Sequence, residues 1–461
     1  MAQASEKDQD PILALRDALP DLDWVTDEGR VARLSQDFSW FSPVLKRQLA
    51  DRRAAIVVRP RTEDEILRLV SQCAKRRLPI TLRGSGTGNY GQAIPLQGGV
   101  LLDMSAYNAF LWARDGVARA QAGIRLVDID KACAAQSMEL RCVPSTFRSA
   151  TLGGLFGGGF GGVGSINYGP LACPGNLLAV RALTIEEQPQ IVELRGVEAL
   201  QMHHMWGTNG LALEIEVALA PVHDWMESIV SFNSFDQALE FCDVLARAPG
   251  ILKKEVCFLA DPVPSYLKQL ALYLPQGCHA VIIATASSSL DAVLALVAQF
   301  QGTVTYQKTA TEVAASNRTL LEFTWNHTTL HALREDKTFT YLQSAFTPGQ
   351  HLEQVRHMEK MLAGEVLMHC EFIRNLDGMN TCTALQLVRF TTEQRLQEIM
   401  QIYRDNGVRI NNPHVYIVED GKAGGELAPG IIATKRRFDP HYLLNRGKVR
   451  AWSDADQPLA S

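Results

Sequence analysis

The stretch LRGSGTGNYGQAIPL, residues 82–96, constrains the fold more than any other part of the chain. It places four glycines within the nine positions 83–91, and its only charged side chain is that of Arg83. Glycine adopts positive φ at no steric cost and lets another group approach the backbone closely. The stretch therefore indicates a loop that binds a ligand through its backbone, with a plain turn between two strands as the alternative.

The spacing of these glycines resembles a dinucleotide fingerprint, but the residues that follow do not. Residues 86–91 satisfy G-x-G-x-x-G, in which the last glycine normally opens a helix. Here Pro95 follows closely and excludes a helix, and GGVLLDMS (98–105) has the composition of a strand. The protein-kinase motifs that would follow a glycine loop between strands are also missing. We therefore expect strand, loop, strand, with the N–H groups of residues 84–88 forming an anion-binding nest.

A second glycine-rich run, VPSTFRSATLGGLFGGGFGGVGSINYG, covers residues 143–169. So many glycines cannot build a packed core, because glycine has no side chain to bury and loses the most entropy on ordering. We predict irregular backbone here. Such backbone suits a flat ligand with polar edges that lies against it.

Composition and charge exclude several classes of protein. The 45 lysines and arginines and 50 acidic residues give a net charge of -5, which does not indicate a nucleic-acid-binding protein. The polar start resembles no signal peptide, and no apolar run approaches the ~20 residues of a membrane-spanning helix. Nine cysteines without C-x-x-C indicate neither a disulfide framework nor a zinc ribbon. A reduced, cytoplasmic protein is the expectation.

Hydrophobic periodicity divides the 461 residues into several units. A helical lead-in at 1–50 precedes a strand at 54–58 and a helix that begins with a Thr62–Glu65 capping box. The sequence pattern changes near residue 226, after which predicted strands alternate with predicted helices. EVLMHCEFIR and HVYIVED are two of these predicted strands. We predict a lead-in at 1–50, a ligand-binding domain at 51–225, a cap domain at 226–430 and a C-terminal return at 431–461.

The order of these motifs resembles a known family. RGSGTGNYGQ, AQAGI, PS…TLGG…GG…YG and WGTNGLALEIEVALAP follow one another as in the FAD-binding domain of the vanillyl-alcohol oxidase / p-cresol methylhydroxylase superfamily. FDPHYLLNRGKV, residues 438–449, is similar to the closing motif of that family. The glycolate-oxidase-D-like flavoproteins look closest. The resemblance covers roughly residues 50–225 and 436–449.

The resemblance implies an α+β fold in which FAD lies between two subdomains of the FAD-binding domain, under an α+β cap that selects the substrate. It also implies a set of cofactor-binding residues on the two glycine regions, the closing strand and the C-terminal motif. These are Arg83, Gly84, Ser85, Gly86, Thr87, Gly88, Asn89, Gln92, Pro144, Ser145, Thr151, Gly153, Gly154, Gly161, Gly162, Leu213 and Asn445.

Departures from the family pattern refine the expectation. Many relatives tether FAD to a histidine at the position of Thr87, and some to a cysteine within the region 144–162, which has none here. We therefore expect non-covalent FAD. The His-Gly-Asp-Gly-Asn-type segment of the metal-dependent branch is missing, so no metal is expected, and Arg446 replaces the proline of the closing Asn-Pro-Gly-Lys.

A flavin oxidoreductase also needs a group that accepts a proton from the substrate. His414 and Tyr416 would share one side of the predicted strand, near the return to the FAD-binding domain. His369 lies two residues before Glu371 on another predicted strand and could be catalytic or structural. His327 and His331 are spaced for one helix face, although HTTLH lacks the glutamate of a zinc protease.

These features predict an FAD-dependent oxidase or dehydrogenase that oxidises a small organic alcohol, hydroxy acid or amine by hydride transfer to the flavin. O2, a quinone or a protein would accept the electrons, and a homodimer is allowed for. The alternative is a non-catalytic FAD-binding subunit of a larger electron-transfer complex.

Overall fold

The computed structural model describes residues 10–422 and 424–450. Its first sheet has the strand order β1–β2–β4–β3, in which β2, β4 and β3 run parallel and β1 is antiparallel to β2. The first glycine stretch starts within β3 and ends at Leu96, shortly before β4. The four strands are β1 (Trp24–Val25), β2 (Ile56–Val58), β3 (Ile80–Arg83) and β4 (Val100–Asp103).

Four helices accompany this sheet: α1 (Pro11–Ala18), α2 (Glu28–Leu34), α3 (Pro43–Gln48) and α4 (Glu63–Lys75). Helix α4 begins at the predicted place, where the Thr62 hydroxyl accepts a hydrogen bond from the Glu65 amide. The capping box is only half formed, because the Glu65 carboxylate accepts from the Arg61 amide. The lead-in at 1–50 does not consist of helices alone, because it also contains β1, an edge strand of this sheet.

The second sheet has the order β5–β6–β10–β8–β9, and β7 pairs with the end of β10. The long strand β10 is its centre, because it pairs with three other strands. Its strands are β5 (Phe110–Arg114), β6 (Val117–Gln121), β7 (Met138–Leu140), β8 (Leu177–Leu183), β9 (Ile191–Arg195) and β10 (Leu211–Pro221). Its helices are α5 (Leu126–Cys133), α6 (Leu152–Gly158), α7 (Ser165–Tyr168) and α8 (Val197–Leu200).

The cap contains an eight-stranded sheet in the order β14–β11–β13–β12–β18–β19–β16–β21 and a three-stranded sheet in the order β15–β20–β17. The strands are β11 (Trp225–Phe232), β12 (Lys253–Leu259), β13 (His279–Ala286), β14 (Thr303–Lys308), β15 (Phe339–Tyr341), β16 (Gln343–Ala345), β17 (Val366–Leu367), β18 (His369–Arg374), β19 (Asn380–Ala384), β20 (Leu387–Arg389) and β21 (Arg409–Asn411). The helices of the cap are α9 (Phe235–Arg247), α10 (Leu290–Gln299), α11 (Ala310–Ser316), α12 (Asn326–Glu335), α13 (His351–Met361) and α14 (Glu393–Asp405). Helix α15 (Pro429–Phe438) follows the cap, and its Phe438 packs in the core of the second sheet.

The eight-stranded cap sheet has two unlike faces. One face packs on α9, α13 and α14 through apolar side chains such as Phe258, Phe372 and Ala384, which belong to one buried core. Side chains alternate along each strand, so the neighbouring positions point to the opposite face. That opposite face is apolar where Ile229, Leu259 and Ile282 pack in a second core, and it is polar on β18, β19 and β16. Helix α7 packs against β12 and β18.

The architecture confirms the predicted α+β class, and two local predictions were wrong. Residues 152–158 form helix α6 inside the run predicted to be irregular, because the buried Leu152, Leu155 and Phe156 lie on one side of it. Residues 414–420 form turns instead of a strand, since the Val418 amide donates to the Lys448 carbonyl and not to a sheet neighbour. Among the described residues, no helix is long and apolar enough to span a bilayer.

Candidate functional site: two glycine loops beneath a polar cap face

The first glycine loop, residues 84–92, is held in shape by Arg83. The Arg83 guanidinium donates to the Gln36 carbonyl over 2.6 Å and lies so close to Gly86 that a Cβ there would overlap it. Gly86 has φ +68°, a conformation that side-chain-bearing residues rarely adopt. The loop therefore needs glycine at position 86 for two separate reasons.

The second glycine loop, residues 151–162, contacts the first. A Cβ on Gly84 would overlap the Thr151 hydroxyl, and the Ser85 hydroxyl donates to the Ser149 carbonyl. Thr151 also accepts from the Gly154 amide, which starts α6. A Cβ on Gly153 would lie 2.9 Å from the Ala122 Cβ. The two loops, separated in sequence, thus form one continuous backbone surface.

A cavity of about 490 Å³ opens where the two loops meet the turn after β6. The volume falls in the range of ordinary small-molecule sites. Predicted cofactor residues from both loops line it, together with residues that the sequence analysis did not identify. The lining consists of Ser85, Ser105, Asn108, Phe110, Gly123, Ile124, Arg125, Asp128 and Thr151.

The C-terminal motif joins the first glycine loop to Trp206, whose amide donates to the Gly157 carbonyl of the second loop. Asn445, with φ +44°, donates from its amide to the carbonyls of Gln92 and Trp206. Lys448 donates to the same Gln92 carbonyl over 2.6 Å, so the replacement of proline by Arg446 still leaves this lysine under the first loop. Burial lowers the pKa of Lys448 to about 7, and the Asp37 carboxylate opposes that shift.

The remaining predicted cofactor residues follow the same surface. The Gln92 side chain accepts from the Tyr90 amide and reaches between the two loops, where Cβ atoms on Gly88 or Gly158 would meet it. The Leu213 carbonyl accepts from the Ala122 amide, next to the cavity. The others are the half-buried Thr87, Pro144 and Gly161, and the buried Asn89, Ser145 and Gly162.

Opposite the glycine loops, the register of the cap sheet aligns polar side chains. Cys257 pairs with Glu371, Glu371 with Thr383, and Thr383 with Ala345. Paired residues share a face, as do residues two positions apart on one strand. We define the polar cap face as Glu255, Cys257, Gln343, His369, Glu371, Thr381, Thr383 and Asn411.

Two contacts join the polar cap face to the glycine loops. The Tyr90 hydroxyl, from the first loop, donates to the Gln343 side chain. Trp325 donates from its amide to Glu371 over 2.5 Å and from its indole to Glu255 over 3.1 Å. The far edge of its indole lies 3.4 Å from where a Cβ on Gly161 would be. Trp325 has φ +53°, a strained conformation of the kind that collects at functional sites.

The structure places the predicted catalytic residues in two groups. His414 is buried; one ring nitrogen is 2.8 Å from the Ser42 hydroxyl and the other 2.9 Å from the Tyr341 carbonyl, and burial lowers its pKa to about 4. Tyr416 packs beside Leu45, Leu49 and Ile94. Both belong to the turns below the first loop, and their catalytic roles stay predictions.

His369 belongs to the second group, on the polar cap face. Its ring nitrogens lie 3.2 Å from the Leu385 carbonyl and 2.8 Å from the Glu371 carboxylate, and the side chain is fully buried. Burial lowers the pKa of His369 to about 4 and raises that of Glu371 to about 7. Donor atoms of His369, Glu371 and Cys257 lie within 4.8 Å of one another, which makes this the described group that could hold a metal ion.

His327 differs from these histidines because one ring nitrogen is open. Nδ1 lies 3.2 Å from the Glu322 carbonyl, which makes it the N–H nitrogen, and Nε2 takes part in no hydrogen bond among the described residues. The side chain is half-buried, two residues after Trp325. The Arg334 and Arg374 side chains are exposed to solvent.

Sequence reasoning did not identify Glu255, Gln343, Thr383 or Trp325 as site residues. The first three lie on three different strands, and only the register brings them together. The alternation of polar and apolar residues in HCEFIR was a usable signal for one of these strands. For Trp325, the signal was its place just before the predicted helix.

The residues present fit a dinucleotide. Bare backbone at two contacting glycine loops, neutral hydroxyl and amide donors, and a cavity at their junction suit a pyrophosphate and an adenosine. The loops continue from that cavity to the polar cap face, so a second, flat ring system at the far end would lie beside the Trp325 indole, which contacts Gly161. These features define a dinucleotide-binding protein whose cofactor ring faces a cap.

Comparison with known proteins agrees with this class. Residues 54–190 match the family described as FAD binding domain. The chain is 24% identical to glycolate oxidase subunit GlcD of Bacillus subtilis over 428 residues, 86% of this chain and 88% of the relative. It is 30% identical to the uncharacterized FAD-linked oxidoreductase Rv2280 of Mycobacterium tuberculosis over 210 residues, which is 43% of this chain and 44% of the relative.

The fold is also known from solved structures. That of alkyldihydroxyacetonephosphate synthase superposes with a TM-score of 0.70, covering 96% of this chain and 86% of the other at 16% identity. The chain is an FAD-dependent oxidoreductase. Its residues 54–190 form an FAD-binding domain, in agreement with the resemblance that the glycine motifs carry.

Proposed function

We propose that this protein oxidises a small organic alcohol, hydroxy acid or amine at the polar cap face. One observation carries the proposal: polar side chains from five cap strands face the glycine loops, and Trp325 and the Tyr90–Gln343 hydrogen bond connect the two layers. Polar groups that converge above a flavin site suit a substrate with an O–H or N–H group. The name of the Bacillus subtilis relative, which specifies glycolate, supports the hydroxy-acid member of this class.

Bound FAD supplies the hydride acceptor for such a reaction. The chain's own residues then have three tasks. The glycine loops hold the cofactor through backbone amides and exclude water from it. The half-buried Thr383 and Gln343 orient the substrate. A third residue accepts the substrate's O–H or N–H proton.

We assign this last task to His327. The Glu322 carbonyl fixes the proton on Nδ1, which leaves Nε2 with a lone pair for the substrate proton. Burial lowers the pKa of His327, so the ring is neutral and competent as a base at neutral pH. By contrast, both ring nitrogens of His414 and of His369 have protein partners.

The test is anaerobic bleaching of the purified yellow protein with 2-hydroxy acids, primary and benzylic alcohols, and primary amines. We expect one class to reduce the flavin. A protein that dithionite bleaches but no substrate does would contradict the proposal and favour a non-catalytic subunit. The electron acceptor follows from reoxidation of the bleached protein by O2, a soluble quinone analogue or a redox protein.

Two variants locate the reaction. Gln343→Leu should raise the substrate concentration needed for half-maximal bleaching rate, whereas Gln307→Leu, on the far edge strand of the same sheet, should not. His327→Gln should lower the bleaching rate by about 10²–10⁴-fold with an unchanged FAD spectrum. An unchanged rate would remove His327 from the reaction and return attention to His414.

A further inference from the structure

Three potential metal ligands face one another on adjacent cap strands. Cys257 on β12 pairs directly with Glu371 on β18, and His369 lies two residues before Glu371 on the same face. The thiol, imidazole and carboxylate donor atoms all lie within 4.8 Å of one another, and the three side chains are fully buried. The spacing resembles no linear metal-binding motif, because 112 positions separate His369 from Cys257.

The hydrogen bonds around these side chains place the His369 Nε2 lone pair against the Glu371 carboxyl, so a proton or a cation must lie between them. The Leu385 carbonyl can only accept, so Nδ1 of His369 carries the proton and Nε2 presents a lone pair. That lone pair points at Glu371 Oε1, an oxygen that already accepts the Trp325 amide hydrogen. A backbone carbonyl that fixes one nitrogen of a histidine in this way is typical of a metal-ligating imidazole.

The other oxygen of Glu371 points to the same conclusion. Oε2 is buried, and among the described residues only the Cys257 thiol or a protonated Glu255 carboxyl could donate a hydrogen bond to it. Its neighbours are the thiol of Cys257 and the carboxyl of Glu255. A buried carboxylate oxygen costs free energy unless a proton or a cation satisfies it.

We propose that Cys257, His369 and Glu371 bind a zinc ion. A thiolate, a neutral imidazole and a carboxylate suit Zn²⁺, whereas Mg²⁺ and Ca²⁺ prefer oxygen ligands only. The thiolate and the carboxylate together balance the two positive charges, and the thiol proton leaves to solvent on binding. Zn–N and Zn–S distances of about 2.1 and 2.3 Å require the donors to move by the order of 1 Å. This proposal is independent of the substrate.

The site has a structural consequence for the cofactor region. Glu371 would be both a zinc ligand and the acceptor of the Trp325 amide, and Glu255 holds the indole of the same residue. Zinc would therefore fix the strained Trp325 against Gly161 in the second glycine loop.

The test begins with untagged, flavin-loaded protein purified without chelator. Elemental analysis should find about one zinc per chain, and zinc X-ray absorption should show one sulfur among nitrogen and oxygen ligands. Flavin-loaded protein that holds well below one zinc per chain, even after zinc is added and excess removed, would overturn the proposal. So would bound zinc without a sulfur ligand.

A matched pair of cysteine variants separates the ligand from the fold. Cys257→Ser should lose most of the zinc. Cys370→Ser removes an equally buried thiol that lies between His369 and Glu371 but faces the helices, and it should keep the zinc. Equal zinc content in the two folded variants would contradict the assignment. Should Cys257→Ser fail to fold, the wild-type X-ray absorption spectrum still decides.

Discussion

Replacement of Gly86 by alanine tests the physical account of the first glycine loop. Gly86 has φ +68°, and a Cβ there would overlap the Arg83 guanidinium. The alanine variant must therefore accept a left-handed backbone and displace Arg83 from the Gln36 carbonyl. Both changes destabilise the native conformation of the loop that holds the cofactor.

The magnitude follows from these two costs. Left-handed backbone costs an alanine about 1–2 kcal/mol. Loss of a hydrogen bond from a charged donor costs about 1.5–3 kcal/mol. We therefore expect about 2.5–5 kcal/mol against the native loop. At about 1.4 kcal/mol for each tenfold change, FAD affinity should fall by about 10²–10⁴-fold.

The assay is FAD titration of the apoprotein, followed by quenching of flavin fluorescence. Gly98→Ala is the matched control: Gly98 has φ +66°, but its nearest neighbour, the Arg53 carbonyl, lies 3.9 Å from where a Cβ would be. The Gly98→Ala variant should bear only the cost of left-handed backbone at that position and should bind FAD with nearly unchanged affinity. The double variant Arg83→Ala, Gly86→Ala should lose less affinity than the two single changes predict together.

Two results would refute this reasoning. One is a Gly86→Ala protein that binds FAD as tightly as the Gly98→Ala control. The other is an effect of Gly86→Ala that is the same with and without the Arg83 side chain, because the overlap would then not be its cause.

Three further predictions concern attachment, pH and the buried histidine. The flavin is non-covalent, because Thr87 occupies the tethering position, so acid precipitation should give a colourless pellet and a yellow supernatant; a pellet that fluoresces on a denaturing gel would disprove this. Burial lowers the pKa values of His203 and His414 to about 4, below the ~6.5 of an unfolded histidine, so stability present above pH ~6.5 should be lost as pH falls toward 4. Chemical unfolding across that range should show this loss, and His414→Gln should reduce it; a variant with the wild-type pH slope would contradict the assignment. His414→Ala should keep the FAD spectrum. Comparison of its rate of flavin bleaching by substrate with the rate of His327→Gln shows which histidine is the base.

The glycine loops could be predicted from the sequence because their signal is local. A run of glycines indicates that another group approaches the backbone closely. Pro95 excludes the helix that the dinucleotide fingerprint would require after the last glycine. The short helix α6 was missed because glycine has a low helix propensity. Packing of Leu152, Leu155 and Phe156 in the core outweighs that propensity, and the Thr151 cap begins the helix.

The polar cap face could not be predicted as a unit. It depends on the pairing register of strands far apart in sequence, as in the contact of Cys257 with Glu371. Single-sequence patterns give the alternation along one strand but not its neighbours. Residues 414–420 were misread for a related reason: their β-branched and aromatic composition suits a strand, yet Val418 pairs with the C-terminal motif through the Lys448 carbonyl.

The central claim is that two glycine loops hold one FAD whose ring lies beneath the polar cap face. A crystal structure of the FAD-loaded protein tests it most directly. The account predicts the pyrophosphate against residues 84–88 and 151–154, and the isoalloxazine beside the Trp325 indole, facing the cap strands that carry Gln343 and Thr383. A pyrophosphate away from either glycine loop, or a flavin ring that does not face these strands, would contradict it.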